Sequence, residues 1–149
     1  MESVRFENGS QFDMKLSSFA DYAVVMMSAA ARHCGAAKMN ATTLSAETGI
    51  PLPTAQKLVS RLSAAGLLES SRGTGGGVRL SRPPAMITLA DVVEAVEGPI
   101  AMTACNELGA HDCNLETDCR IRPHMNVANE AIRSALAGVT IASLSREMA

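Results

Sequence analysis

The stretch that decides the fold is residues 50–80, which read IPLPTAQKLVSRLSAAGLLESSRGTGGGVRL. Pro53 suits the first turn of a helix, and Leu58, Leu62 and Ala65 recur at the spacing of one helical face. The second half predicts two strands around a glycine-rich tip, because glycine tolerates the positive φ angles of a tight hairpin. A helix followed at once by a hairpin is typical of a winged helix-turn-helix, whose second helix enters the major groove of DNA.

Two predicted helices precede this stretch. The first lies within residues 16–33, where Phe19, Tyr22, Ala23, Met26, Ala30 and His33 recur at steps of three and four. Asn40 or Thr42 can cap a short second helix that runs through Glu47, and Gly49 suits the left-handed residue at its end. An ordinary helical hairpin is the alternative to a helix-turn-helix, and the strands that follow favour the latter.

The glycine-rich tip has a rival interpretation as a phosphate-binding loop. That motif needs a Lys-Ser/Thr pair after the last glycine, with a helix opening there. Val78 follows Gly77 instead, so we favour the hairpin. The sequence shows no Ser/His/Asp set, no paired carboxylates at a pocket and no cofactor fingerprint, so we predict that the protein is not an enzyme.

Charge is divided between two segments of the chain. Residues 53–82 carry five basic side chains and one acid, a balance of 5 − 1 = +4, although the whole chain carries −2. Residues 91–118 carry seven acids and no Lys or Arg. The basic segment favours a nucleic-acid partner, and the acidic segment indicates a second role.

The start of the chain differs from the rest. Residues 1–13 are polar and lack the basic start and apolar middle of a secretory signal, so we interpret them as a leader or a cloning remnant. No apolar run reaches the ~20 residues of a membrane span. We therefore expect a cytoplasmic protein without a membrane partner, and cysteines that stay reduced.

The C-terminal half begins with a helix capped by Thr88 that ends at residues 98–99, followed by a cysteine-rich loop. A last long helix then shows an apolar stripe formed by Met125, Ala128, Ile132, Leu136 and Val139. Because a winged-helix domain already has its core, we predict that this stripe packs against a second subunit. Thr140 can start a final helical turn that carries Ile141.

Three of the four cysteines lie in that polar loop. Seven residues separate Cys105 from Cys113, and five separate Cys113 from Cys119. Structural zinc usually takes tighter pairs, whereas iron–sulfur clusters are held by thiolates at more varied spacings. Zinc bound with His111 or His124, and one disulfide with a spare thiol, stay open as alternatives.

Two residues at the end of the first helix have structural interpretations. Cys34 stands apart from the other thiols, and we expect it to be a small buried residue. His33 is predicted to cap the helix C-terminus or to join the core.

The run from Met14 to Leu144 resembles the bacterial winged-helix iron–sulfur transcriptional regulators of the IscR/NsrR/RirA family. The matching stretches are MKLSSFADYAV, the helix-turn-helix, SRGTGGGVRLSRP, ITLADVVEAVEGP and the three loop cysteines. The resemblance implies a mainly α fold with a small β wing, a homodimer, a palindromic double-stranded DNA site and an iron–sulfur cluster. Residues 14–84 would form the DNA-binding domain, and residues 85–149 the cluster loop and dimerisation helix.

The function that the resemblance implies is a cluster-dependent repressor of iron–sulfur assembly or iron-homeostasis genes. A nitric-oxide-sensing repressor with the same cluster is one alternative. The other is a metal- or cluster-binding module that does not bind DNA.

The fourth cluster ligand departs from the family pattern. In the assembly-regulating members a His lies three residues after the last Cys, but Arg122 stands there and His124 lies five after. In the nitric-oxide-sensing members an Asp near the partner's N-terminus completes a 4Fe–4S cluster, and Asp21 matches that position. The resemblance therefore favours Asp21 of the partner subunit over His124, and a 4Fe–4S over a 2Fe–2S cluster, with Cys105, Cys113 and Cys119 as the other ligands.

The same resemblance implies a set of DNA-facing residues: Pro53, Thr54, Gln56, Lys57, Arg61, Arg72, Lys15 and Ser17. Gln56 can pair with adenine, and Lys57 with guanine or phosphate. Arg61 is expected to meet the DNA backbone, and Arg72 the minor groove from the wing. Lys15 and Ser17, near the start of the first helix, are expected to contact phosphates.

Overall fold

The computed structural model describes residues 16–34, 39–73, 76–101, 114 and 116–147. These residues form helices and one two-stranded antiparallel sheet, so the predicted mainly α fold with a small β wing is confirmed. The α-helices are α1 (Ser18–Arg32), α2 (Ala41–Thr48), α3 (Leu52–Ala64), α4 (Leu89–Glu97), α5 (Arg122–Ala137) and α6 (Ile141–Glu147). The strands are β1 (Leu68–Ser71) and β2 (Gly77–Leu80), and short 3-10 turns lie at Pro84–Met86 and Glu116–Asp118.

Side-chain caps set where two of these helices begin. Asn40 accepts the backbone N–H of Thr43 at 2.9 Å, so Asn40 is the cap of α2. Thr88 accepts the backbone N–H of Asp91 at 3.2 Å, and the Asp91 carboxylate accepts the N–H of Thr88 at 3.0 Å. Each reciprocal pair satisfies two backbone donors that a helix start leaves without partners. Gly49 ends α2 at φ 77°, as predicted.

Helix α1 is the centre of the core. Its buried residues are Ala20, Ala23, Met26, Met27, Ser28, Ala29 and Ala31. The prediction of a single apolar stripe was too narrow, because α1 packs against α2, α3, α4 and α6 and is covered on several sides. The stripe also included Tyr22, which is 40% exposed.

Helix α3 rests on this core through Leu58 and Leu62, which are fully buried. The prediction that Ala65 shares their face was wrong, because Ala65 is exposed. Ala65 lies just past the last helical residue, and the chain turns away at Gly66, whose φ is 79°.

The wing is an antiparallel hairpin in which Leu68 pairs with Leu80 and Ser71 pairs with Gly77. Met39 adds an isolated bridge to β2 by accepting the N–H of Val78. At Gly76 a Cβ atom would lie 2.5 Å from the Ser71 carbonyl oxygen, so glycine is required there.

The C-terminal helices return to the same core. Helix α4 packs against α1 and α3, α5 contacts α4, and α6 packs against α1 with Ile141 fully buried. The Ile141 N–H donates to the Ile87 carbonyl at 2.9 Å, and the Leu89 N–H to the Val139 carbonyl at 2.8 Å. The domain boundary at residue 84 stays a prediction. Among the described helices, none has the length and apolar character needed to span a membrane.

Candidate nucleic-acid interface and cysteine site

Helix α3 presents one polar face to the surface. Its buried side consists of Ala55, Leu58 and Leu62. Pro53, Gln56 and Lys57 are exposed, and Thr54 is half-buried. The structure therefore brings the predicted base-reading residues together on one accessible side of the helix.

Two basic residues of α3 converge on an aromatic ring of α1. The Lys57 Nζ lies 5.3 Å from the centroid of the Phe19 ring, and the Arg61 Cζ lies 5.8 Å from it. Arg61 also donates from Nη1 to the carbonyl oxygen of Val96 in α4, at 3.0 Å. The periodicity of α1 places Phe19 on the inward stripe, and no local pattern shows which residues of α3 contact its ring.

Ser17, just before α1, forms hydrogen bonds with other residues of the same chain. Its Oγ accepts the N–H of Ala20 at 3.2 Å and so caps α1. Its own N–H donates to Oε1 of Glu97 at 3.0 Å. A contact of Ser17 with phosphate stays a prediction, and Lys15 lies outside the described residues.

The basic side chains around the wing differ in how they are partnered. Arg79 pairs with Glu69 across the hairpin at 3.0 Å, and Arg82 lies 3.9 Å from Asp91. Arg72, directly after β1, is exposed and forms no ion pair with the part of the chain that the structure describes. Arg72 and Lys57 are therefore the basic side chains of this segment best placed to meet an anionic partner.

The structure describes part of the predicted cluster-ligand set. Cys119 has a free, half-buried thiol just before α5, whereas Cys105 and Cys113 lie outside the described residues. Asp21 is exposed in the first turn of α1, and His124 is exposed in the first turn of α5. Within the described ranges, no group of three or more His, Cys, Asp or Glu side chains could hold a metal ion. The ligand set therefore stays a prediction.

The end of α1 differs in part from the prediction. Cys34 is exposed, so the expectation of a buried thiol was wrong; the residue lies beyond the last helical turn. His33 is the C-cap residue of α1, as predicted. Its Nε2 lies 2.7 Å from Oε2 of Glu47, and Arg32 donates to Oε1 at 2.7 Å. The hydrogen bond from Arg32, supported by His33, lowers the pKa of the Glu47 carboxyl from its ordinary value.

Helix α5 turns polar residues toward α4 and the residues just after it. Arg133 donates from Nε to Oε1 of Glu94 in α4 at 2.9 Å. The buried Asn129 donates from Nδ2 to the carbonyl oxygen of Ile100 at 3.1 Å. Each residue of the predicted apolar stripe is only half-buried, and the neighbouring Val127 is 72% exposed. The apolar side of α5 is thus left accessible.

Comparison with known proteins places this fold and these residues in one family. The Rrf2 family, described as an iron-dependent transcriptional regulator, matches residues 16–147. The HTH-type transcriptional regulator IscR of Vibrio atlanticus is 33% identical over 134 residues, which cover 90% of this chain and 76% of that protein. NsrR of Geobacillus kaustophilus, also an HTH-type transcriptional regulator, is 29% identical and covers 91% of this chain and 92% of its own. Protein aau3 of Rhizobium meliloti is 43% identical over 88 residues, and the match spans 57% of its length.

Solved structures show the same architecture. CymR of B. subtilis, the global cysteine regulator, superposes with a TM-score of 0.70 at 25% identity, over 91% of this chain and 98% of its own. IscR of T. potens has a TM-score of 0.69 at 22% identity, over 94% of this chain and 92% of its own, which shows the shared fold. IscR and NsrR are transcriptional regulators rather than enzymes, in agreement with the prediction from sequence. The chain therefore belongs to the Rrf2 family of iron-dependent transcriptional regulators.

Proposed function

We propose that this protein is a homodimeric repressor that binds a palindromic double-stranded DNA site and depends on an iron–sulfur cluster. The observation that supports DNA binding most directly is the exposed face of α3 beside the exposed Arg72 of the wing. Gln56 and Lys57 project from a helix that Leu58 and Leu62 anchor in the core. A rigidly seated helix with accessible polar groups is what reading base edges requires.

Each DNA-facing residue has a role set by its chemistry. The amide of Gln56 can pair with adenine, and the ammonium of Lys57 can reach guanine or a phosphate. Arg72 extends from the wing toward the minor groove, where its charge is favourable. Pro53 and Thr54 are proposed to face the groove edge, and Lys15 and Ser17 are proposed to contact the DNA backbone.

The proposed dimer follows from the division of α5 into two sides. Asn129 and Arg133 bind the subunit's own α4 region, which leaves the apolar side of the helix half-exposed. A second copy of the same helix would cover that side by twofold symmetry. A twofold dimer presents two copies of α3 to successive major grooves, about 34 Å apart, which accounts for a palindromic site.

The donor chemistry fits an iron–sulfur cluster. The thiols of Cys105, Cys113 and Cys119 are the proposed protein ligands, because such clusters are held by cysteine thiolates. Asp21 of the partner subunit is the proposed fourth ligand, with His124 as the alternative. When bound, a 4Fe–4S or 2Fe–2S cluster supplies a metal group that iron shortage, oxygen or nitric oxide can remove or alter.

The two ends of the cysteine loop are joined to α4 and α5. Ile100, near the loop's start, is held to α5 by Asn129, and Cys119, at the end, leads directly into α5. A change in the conformation of the cysteine loop would therefore act on α4 and α5 together. We propose that the regulated genes serve iron–sulfur assembly or iron handling, because cluster occupancy would report the supply of clusters.

Anaerobic purification tests the cluster. We expect a coloured protein with iron and sulfide, and DNA affinity that changes when the iron is chelated. Cys113→Ala should lose the iron and the response, whereas Cys34→Ala, a matched change at an exposed thiol outside the loop, should keep both. A colourless wild-type protein whose DNA binding is unaffected by Cys113→Ala would contradict the proposal.

A second experiment separates the candidate fourth ligands. Asp21→Ala should lower the iron content per subunit and speed its loss, while His124→Ala should leave both unchanged. The reverse pattern would assign the role to His124.

Nitric-oxide sensing is the second candidate function, and the exposure of Asp21 favours it. An oxygen ligand from an accessible carboxylate binds iron weakly and leaves that position open to displacement. If DNA affinity falls on addition of nitric oxide but not on mild iron chelation, sensing of nitric oxide replaces iron supply as the signal. Salt-independent binding to duplex DNA, or none, would instead indicate a cluster module without DNA binding.

A further inference from the structure

We propose that Phe19 and Arg61 are positioning residues of the DNA interface, and that Arg61 serves this role instead of neutralising a phosphate. In this arrangement Phe19 holds Lys57 in place for DNA, and Arg61 ties α3 to α4. The inference rests on the proposed DNA binding and concerns what each basic residue of α3 contributes to it.

The ring of Phe19 lies close to the charged groups of Lys57 and Arg61. Phe19 is half-buried and packs against the core, so its ring has a fixed position. Lys57 and Arg61 lie one helical turn apart, and their charged groups are 5.3 and 5.8 Å from the ring centroid. Both distances fall within the range of about 6 Å at which a cation is attracted to an aromatic face. The ring therefore offsets the repulsion between two like charges on one side of a helix.

Arg61 also makes a hydrogen bond to α4. Its Nη1 donates to the carbonyl oxygen of Val96 at 3.0 Å. Val96 lies in the last turn of α4, where carbonyl groups have no partner inside the helix and the helix dipole attracts positive charge. The guanidinium thus contacts both the ring and the end of α4, and a phosphate would have to compete with these two contacts.

A third contact joins the same place. The N–H of Ser17 at the start of α1 donates to Glu97, the neighbour of Val96, at 3.0 Å. The beginning of α1, the last turn of α3 and the end of α4 therefore meet at one junction, in which Arg61 supplies the link to α3. Arg61 fixes the orientation of the recognition helix relative to the rest of the subunit.

Lys57 has a different position in this junction. Like Arg61 it is exposed, but it lies nearer the start of α3, and its ammonium rests on the ring of Phe19. A lysine stem is flexible, and ordering it on binding costs conformational entropy. Contact with the ring limits the conformations of Lys57 in the free protein, so less conformational entropy is lost when DNA binds.

The salt dependence of DNA binding separates these roles. Each phosphate neutralised by a protein cation contributes about 0.9 to the slope of log affinity against log salt concentration. The probe is a duplex selected by the wild-type protein from a random pool, measured by fluorescence anisotropy. Lys57→Gln should lower the slope by about that amount if Lys57 reaches a phosphate, and Arg72→Gln provides a reference for a wing contact.

Arg61→Met removes the charge and the donor but keeps much of the stem. We expect weaker binding with a slope change well below that of Arg72→Gln, and Arg61→Lys should recover part of the affinity. Phe19→Leu should weaken binding about two- to fivefold at an unchanged slope, and Phe19→Tyr should restore it because the ring remains.

Two results would overturn the inference. One is an Arg61→Met slope that falls as far as that of Arg72→Gln, which would make Arg61 a phosphate ligand. The other is wild-type affinity in Phe19→Leu. If Arg61→Met does not fold by circular dichroism, the Phe19→Leu and Phe19→Tyr pair decides. Wild-type protein that shows no salt-dependent DNA binding would defeat the proposed function as well, and this outcome is distinct from both.

Discussion

Single polar side chains decide where helices α2 and α4 begin. Asn40 and Thr88 were identified from sequence as candidate caps, and both accept backbone N–H groups in the structure. Such caps are predictable because the bond forms within four residues, so distant parts of the chain do not affect it. The role of Phe19 was not predictable, since its cationic neighbours come from another helix.

The cap at Thr88 leads to a prediction about stability. Thr88→Ala should lower the free energy of unfolding by about 1 kcal/mol, because the N–H of Asp91 loses its acceptor. Urea unfolding followed by circular dichroism measures this change. Thr42→Ala, at an exposed position in the first turn of α2, should have a much smaller effect because Asn40 caps that helix. Equal losses in the two variants would contradict the capping role.

Glu47 leads to a prediction about pH. The hydrogen bond from Arg32, with the contact from His33, lowers the pKa of Glu47 from 4.5, so the folded state favours the ionised carboxylate. Its contribution to stability is then present above the unfolded value of 4.5 and is lost as the pH falls through the lowered, folded-state pKa.

Comparing wild type with Glu47→Gln by urea unfolding at several pH values tests this sign. Wild type should be the more stable near pH 7, and the difference should shrink as the pH falls below 4.5 and the carboxylate becomes protonated. A difference that grows on acidification would be the wrong sign. Because the pair is near the surface, added salt should also reduce it.

At the scale of elements, the last turn of α4 and the residues after it form the junction that residues from several other helices contact. Hydrogen bonds reach residues 94–100 from Ser17, Arg61, Asn129 and Arg133. The stretch from Thr88 to residue 99 was predicted as a capped helix, and it forms α4. Its function as a junction depends on three other helices and has no signature in its own sequence.

Helix α6 is the element whose contribution to the free energy of unfolding is easiest to measure separately. Ile141 is fully buried against α1, whereas Leu144 is half-buried. Ile141→Ala should cost about 2–5 kcal/mol of the free energy of unfolding through lost burial and the cavity that remains. Leu144→Ala should cost less. If the urea unfolding midpoint of Ile141→Ala equals that of the wild type, α6 does not belong to this core.

At the scale of the whole molecule, the accessible side of α5 determines the expected assembly. Val127 is 72% exposed and Ile121 is 61% exposed, close to the half-buried apolar stripe. Val127→Lys should shift the protein from dimer to monomer in sedimentation equilibrium, because a charge would have to enter an apolar interface. It should also weaken binding to a palindromic duplex, since one subunit reaches only one half-site.

Met86 provides a matched control for that experiment. It is 65% exposed, but it lies in the turn before α4 and outside α5. Met86→Lys should leave the oligomeric state and DNA binding unchanged. Dissociation of the Met86 variant, or a Val127 variant that stays dimeric, would place the interface elsewhere.

The sequence by itself determined the order of the helices, the caps, the hairpin and the family to which the chain belongs. These features follow from periodicity and local hydrogen bonding, which act over a few residues. The tertiary structure decided which sides of the helices are covered: it buries α1 on several sides, exposes Tyr22 and Cys34, and turns Arg133 of α5 toward α4. It also brought Lys57 and Arg61 to the ring of Phe19. Such contacts join residues that are far apart in the chain, and tertiary packing creates them. The periodicity of the sequence therefore does not predict them.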